Sequence, residues 1–200
     1  MTGEPAQTRR DFMMTGALAA GSVAIGAPEL AMAQRLAPTP ECRDGNEPTV
    51  RQTEGPFYKP RSPERADLRE PGLAGRTVEV KGLVLTRSCR PVAGVLVDLW
   101  HADAQGNYDD KGFRCRGHQF TDANGGYRFV TVMPAVYSGR TRHFHVKVQA
   151  PRQPVLTTQL YFPNEAQNRR DGLFRPELLM RAADADGALA ARFDFVLDLR

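Results

Sequence analysis

The chain has 200 residues, a formal charge of +4, 41% hydrophobic residues, 15 prolines and 18 glycines. It is long enough for one domain with a real core, too apolar for a disordered polymer, and rich in turn formers. Its arginines are scattered and form no basic stripe, which argues against nucleic-acid binding and leaves weak attraction to small anions. In chain order the first element is a targeting signal. Arg9-Arg10-Asp11-Phe12 precede an Ala- and Gly-rich apolar run from Met14 to Ile25, and Ala31-Met32-Ala33 offers a small-x-small cleavage site. Residues 1–33 are expected to be a twin-arginine-type export signal that directs the protein to the periplasm or the extracellular space. The run is too short and glycine-rich to span a bilayer stably, so no stable membrane span is expected after signal removal. That export route carries proteins already folded, often with a metal inside.

Residues 34–76 are expected to form an extended N-terminal arm, since 34–60 are polar and proline-rich with little periodicity. From Thr77 to the C-terminus short apolar runs recur between turn signals. Strands are expected over Val78–Leu85, Val92–His101, Tyr127–Val132, His143–Gln149, Leu156–Phe162 and Arg192–Leu197, with Asp122-Ala123-Asn124-Gly125-Gly126 as a strong turn. Short strands separated by turns predict a mainly β protein, an antiparallel β-sandwich with long loops. One short helix is expected over Pro176–Ala183, with proline at its first position. Cys42, Cys89 and Cys115 permit one disulfide with one thiol left over; three pairings are open, and no spacing matches a zinc motif.

The strand His143–Gln149 carries the first chemical signal. Side chains alternate, so Phe144, Val146 and Val148 can face the core while His143 and His145 share the opposite face. Two imidazoles two residues apart on a strand stand about 7 Å apart at the backbone, close enough to reach one metal. Upstream, Gly106-Asn107-Tyr108 is a turn that exposes a tyrosine, and Tyr137 sits in a loop just before Arg140. Two phenolates with two imidazoles suit iron(III) better than zinc or copper(I).

The ordered set Thr53-Glu54-Gly55-Pro56-Phe57-Tyr58, Val97 to Asp103 with Gly106-Asn107-Tyr108, Pro134 to Tyr137, Arg140 to His145, Leu156 to Phe162 and Arg192 to Leu197 resembles the intradiol ring-cleavage dioxygenases. The resemblance covers about Thr53 to Leu197. It implies one non-haem Fe(III) per chain, held by Tyr108, Tyr137, His143 and His145. Tyr137 would also act catalytically, by leaving the metal when substrate binds, and Arg140 and Gln159 would serve beside the substrate. The implied partners are a small aromatic diol and O2, with a homo-oligomer compatible with this picture. Tyr127 and Tyr161 are expected to pack, Tyr58 to line the pocket mouth, and His101 and His118 to be structural. Arg116-Gly117 is expected to serve a turn or bulge. Ala135 stands where the family often has glycine, and no helical N-terminal dimerisation region is evident.

Two other readings compete. An exported, non-catalytic β-sandwich binding module would leave His143 and His145 on the surface and make Tyr108 and Tyr137 contact aromatics. A copper or zinc hydrolase would keep a metal, but lacks a carboxylate in a recognisable base position.

Overall fold

The structure is a computed structural model that describes Cys42 and residues 47–199; the export signal read at residues 1–33 lies outside the described residues. Among the described residues nine strands form: β1 (Thr77–Leu85), β2 (Leu96–Trp100), β3 (Arg116–Phe120), β4 (Gly126–Val132), β5 (His143–Gln149), β6 (Leu156–Tyr161), β7 (Arg181–Ala185), β8 (Ala188–Arg192) and β9 (Phe195–Val196). One sheet has the order β4-β1-β8-β7, with β9 also pairing β1; the other has the order β3-β2-β5-β6. Between them lies the core, in which Val78, Val80, Val84 and Phe129 of the first sheet meet Val97, Leu99, Phe144, Val146 and Val148 of the second. The chain is therefore a mainly β sandwich, as its turn-punctuated apolar runs predict. The pairings of β1 with β8 and with β9 are parallel, because the chain's C-terminal end returns alongside its first strand. Among the described residues no helix is long and apolar enough to cross a membrane.

The short helix expected over Pro176–Ala183 is corrected. Only Pro176–Leu178 form a single 3-10 turn, and Arg181–Ala185 then pair with Ala188–Arg192 as an antiparallel hairpin. Asp186 and Gly187 take positive φ values of 46° and 79°, the geometry of a two-residue primed turn whose twist matches the flanking strands. The Asp-Gly turn thus overrides the helix propensity of the alanines. Arg116-Gly117 is a second correction: these residues open strand β3, which pairs with β2 throughout. Its sequence, Arg-Gly-His-Gln-Phe, has no apolar alternation, so pairing with β2 rather than periodicity makes it a strand.

Residues 47–76 run over the sandwich without a strand of their own. Their backbone groups are satisfied one at a time, as in Gln52 N–H to the Thr157 carbonyl, Arg65 N–H to His118 and Leu68 N–H to Val130. Of the three disulfide pairings left open, the structure adopts Cys42–Cys89, and Cys115 is free and buried. The buried His101 ties one sheet to the other: its Nδ1 is 2.7 Å from the Ala102 carbonyl and its Nε2 is 2.7 Å from the Thr131 hydroxyl of β4. Burial pushes this imidazole down to about 4, so it stays neutral and structural.

Gly82 marks the tightest approach in the fold. A β-carbon there would lie 1.7 Å from the Phe193 carbonyl oxygen and 2.9 Å from Asp194 Oδ1, where Asp194 accepts the Leu83 N–H at 2.8 Å. Gly82→Ala must push the β8–β9 connection off β1, so it is expected to destabilise the fold by about 3 kcal/mol, measured by chemical denaturation.

Candidate metal centre

Both faces of β5 are buried. Phe144, Val146 and Val148 enter the sandwich core, while His143 and His145 are almost as inaccessible on the other face. The second face is covered by the 53–62 segment and by the two tyrosine-bearing loops. Register then lines up side chains across the sheet. Arg116 on β3, Trp100 on β2, His145 on β5 and Gln159 on β6 form one cross-strand row, with His143 and Tyr161 opposite each other two residues along.

Each loop has a local reason for its shape. The Asp103 carboxylate accepts the backbone N–H groups of Gln105 and Asn107, both at 2.9 Å, which closes the turn that presents Tyr108. The Asp109 carboxylate accepts those of Lys111, Gly112 and Arg114, which orders the chain after it. The Ala135 N–H donates to the Asp103 carbonyl at 3.0 Å, so the two tyrosine loops are joined directly. Ser138 and Gly139 have positive φ and the Arg140 N–H donates to the Tyr137 carbonyl at 2.7 Å, a tight turn that keeps Tyr137 and Arg140 together.

Three heteroatoms converge at the centre. Tyr108 Oη is 3.0 Å from His145 Nε2, and His143 Nε2 is 3.1 Å from the same atom. His143 Nδ1 donates to the Thr141 carbonyl at 2.7 Å, which leaves the Nε2 lone pair of that ring facing inward. The buried Nδ1 of His145 has no hydrogen-bond partner. Packing orients this ring instead: Trp100 stacks on it at 4.9 Å and 10°, and a β-carbon on Gly55 would come within 3.2 Å of its Cε1. The Tyr137 ring lies edge-on to Tyr108, with centroids 5.5 Å apart.

The electrostatics suit a cation. Burial lowers His143 to about 4 and His145 well below the usual imidazole value, so both rings are neutral with lone pairs to offer. Burial likewise raises Tyr108 to about 12, with Arg140 and Arg116 pulling in the other direction; a Lewis acid would be needed to remove that proton at neutral pH. Among the described residues no group of three or more His, Cys, Asp or Glu could hold a metal. A donor set of phenols and neutral imidazoles is a different kind of site, and its convergence fits a hard ion.

Arg140 and Gln159 sit beside these donors and are locked together. Arg140 Nε donates to the Asp171 carboxylate at 2.8 Å, and its Nη2 donates to Gln159 Oε1 at 2.7 Å. Gln159 Nε2 donates to the Thr53 carbonyl at 2.9 Å. The Tyr161 hydroxyl lies 2.9 Å from both Gln159 Oε1 and the Leu173 carbonyl, so Tyr161 orients the glutamine as well as packing. Tyr127 packs in the core, its hydroxyl donating to the Phe193 carbonyl at 2.8 Å. Phe57 meets the site tyrosines: its ring stacks on Tyr108 at 4.2 Å and stands edge-on to Tyr137 at 5.3 Å. Tyr58 lies against Trp100, with its hydroxyl toward Asp98 at 3.4 Å. His118 is structural, its Nδ1 3.1 Å from the Ser62 hydroxyl. Sequence reasoning missed Asp171, Trp100, Phe57 and Arg116. Strand alternation extended from His145 to its neighbours could have found Trp100, and no local signal marks Asp171.

Residues 53–199 match the Dioxygenase_C family, described as dioxygenase. The chain belongs to the intradiol ring-cleavage dioxygenase family. Among curated members it is 36% identical over 138 residues to catechol 1,2-dioxygenase 2 of Acinetobacter lwoffii, covering 56% of this chain and 50% of that protein. It is 31% identical over 152 residues to the protocatechuate 3,4-dioxygenase beta chain of Burkholderia cepacia, covering 62% and 65%. The chain therefore spans about half to two thirds of the length of these relatives. Among solved structures, the dioxygenase domain of a dioxygenase–carbohydrate-binding protein fusion from the cellulolytic bacterium Streptomyces sp. SirexAA-E matches at 51% identity and TM-score 0.75, over 77% of this chain and all of that one. The 3-chlorocatechol 1,2-dioxygenase of Rhodococcus opacus 1CP matches at 28% identity and TM-score 0.67, over 78% of this chain and 73% of that one. Within the matched span lie all the dioxygenase-family pieces described above, from Thr53 through β9.

Asp171 is the hinge of the polar part of the site, since it also accepts the Thr141 and Leu173 N–H groups at 2.9 Å. Burial acts to raise this carboxyl, but its donors, Leu173, Arg140 and Thr141, outweigh burial and hold it below the usual range. Its stabilising contribution is present above the unfolded carboxylate value, near pH 4, and is lost as pH falls through the lower folded value. Asp171→Asn is expected to cost about 2–3 kcal/mol and to flatten the loss of stability below about pH 4, followed by urea denaturation across that range.

Proposed function

We propose that this protein is a non-haem iron(III) dioxygenase that cleaves a catechol-type ring between its two hydroxyl-bearing carbons with O2, giving a muconate-type diacid. The observation that carries the reading is the meeting of the Tyr108 hydroxyl with the Nε2 atoms of two neutral histidines within 3.1 Å. One iron per chain is assigned to Tyr108, Tyr137, His143 and His145. Iron(III) held there supplies Lewis acidity, lowering the pKa of the diol and of the tyrosines bound to it.

The rest of the chemistry is assigned to side chains of the chain. Tyr137 is half-buried, with its ring edge-on to Phe57 and Tyr108, and would accept a proton from the bound diol. Tyr108 is held by Phe57, which stacks on its ring, and by the turns that Asp103 and Asp109 order on either side of it. Arg140 faces the same space with its guanidinium pinned by Asp171 and Gln159. Pinning keeps its N–H donors aimed where negative charge develops on the ring, and a guanidinium stays charged at any working pH. Gln159 retains one Nε2 hydrogen beyond its bond to Thr53, which it can direct to the reacting centre. Phe57 and Trp100 exclude water from the histidine side.

The relatives are dioxygenases named for catechol, protocatechuate, chlorocatechol and hydroxyquinol, which supports a catechol-type diol here. Export through residues 1–33 belongs to the same proposal, and the Cys42–Cys89 disulfide supports an oxidising compartment.

Protein loaded with ferrous salt in air is expected to turn red-brown from phenolate-to-iron(III) charge transfer, to change colour on adding catechol, and to consume O2. Tyr108→Phe should fold yet lose the colour and at least about 100-fold of the turnover, the upper end of the effect of removing an outer-shell partner. Full ring-cleaving activity in that variant would refute the ligand assignment.

A further inference from the structure

Arg116 is a buried cation in an unusual position. Its side chain is among the largest fully buried ones, with only 2% of the residue exposed. Its Nη1 donates to the Phe57 carbonyl at 2.6 Å and its Nε donates to the Asp109 carbonyl at 3.1 Å. Both acceptors are neutral. Among the described residues no carboxylate lies within 4.0 Å of its guanidinium. The acids nearest to it in charge, Asp109, Asp110 and Asp98, act at longer range, and two of them are committed elsewhere. The Asp109 carboxylate caps three backbone N–H groups, and Asp98 accepts from Ser62 at 2.8 Å and Tyr58 at 3.4 Å.

A guanidinium taken out of water without a paired anion is costly. A negative charge developing close by would offset that cost. The carbonyls that Arg116 holds identify the recipient. Asp109 follows Tyr108 in the chain, and Phe57 is the residue whose ring stacks on Tyr108 at 4.2 Å. Arg116 therefore grips the backbone on one side of Tyr108 and the aromatic cover on the other. It stands in the same cross-strand row as His145, so the sheet sets its position relative to the histidine donors. Gly117 reinforces this placement, because a β-carbon there would lie 2.5 Å from Leu68 and 2.9 Å from Arg65, which keeps β3 pressed under the 53–68 segment.

We propose that Arg116 is the positioning residue for Tyr108, clamping its loop to Phe57 and supplying the positive charge that compensates the Tyr108 oxygen when that oxygen is anionic in a metal-loaded site. The proposal rests on the iron(III) reading above. It assigns to Arg116 the cation fixed to the Tyr108 loop itself, while Arg140, which also acts on Tyr108, is held by Asp171 at 2.8 Å on the substrate side.

The test compares the full chain with Arg116→Met, Arg116→Gln and Arg116→Lys. Three readouts are taken: iron affinity by chelator competition, the position of the charge-transfer band, and the melting temperature of the iron-free protein. In Arg116→Met and Arg116→Gln, iron affinity is expected to fall about 10- to 100-fold, and the band to move to longer wavelength as the phenolate loses its stabilising cation. Arg116→Lys should return affinity to within about threefold of the parent, since it restores charge without the planar fork. A merely structural arginine would lower the iron-free melting temperature but leave the band of folded, loaded protein where it is; that result overturns the proposal. Whichever of the Met and Gln variants folds suffices for the comparison. If the parent protein takes up no iron and shows no band, the iron(III) reading itself fails; if the parent does both and the neutral variants match it, only the role of Arg116 fails.

Discussion

The pairing of β5 with β2 and β6 in a single register governs everything else in this molecule. Strand side chains alternate strictly, so a slip of one residue would send His143 and His145 into the core and turn Phe144, Val146 and Val148 outward. Those three apolar residues are almost fully buried, which makes the observed register the low-energy one. The hydrophobic effect acting on one face thus positions His143 and His145 on the other. The same register brings Arg116, Trp100 and Gln159 into line with His145 without any of them touching the core side.

The covering of that second face explains why two histidines on an outward strand face are nevertheless buried. Residues 53–62 are fastened by interactions of different kinds: an ion pair between Glu54 and Lys147, Ser62 to Asp98, and Lys59 donating to the carbonyls of Lys111 and Gly112 at 2.7 and 3.0 Å. Arg116 adds the grip on Phe57. Burial by this cover depresses both imidazoles and raises the Tyr108 phenol. The same cover thus favours the neutral forms of His143, His145 and Tyr108.

The polar and aromatic halves of the site are held in different ways. On the Tyr161 side, Arg140, Gln159, Tyr161 and Asp171 form a network in which each member orients another. Such a network holds geometry firmly because breaking one bond strands a buried partner. On the Trp100 side, orientation comes from ring stacking and from the close approach of Gly55, and His145 has no hydrogen bond at Nδ1. A site of this design has one wall fixed by hydrogen bonds and another fixed by shape.

Much of this was legible in the amino-acid sequence. Alternation in His143–Gln149 placed the strand and both histidines, turn residues around Gly106 marked where Tyr108 had to be, Tyr137 stood in a loop just before Arg140, and the punctuated apolar runs indicated a β-sandwich. These are signals of short range, in which a few neighbouring residues contain the whole pattern. What only the tertiary structure decided is long-range. Arg181–Ala185 became a strand because an Asp-Gly turn paired it with β8, and β3 became one because β2 offered an edge. Cys42 chose Cys89 over Cys115 because the arm and the β1–β2 turn meet. Phe57 came to stack on Tyr108, and Asp171 reached Arg140 from 31 residues away. No local periodicity encodes such pairings, because each depends on which segments the folded core brings side by side.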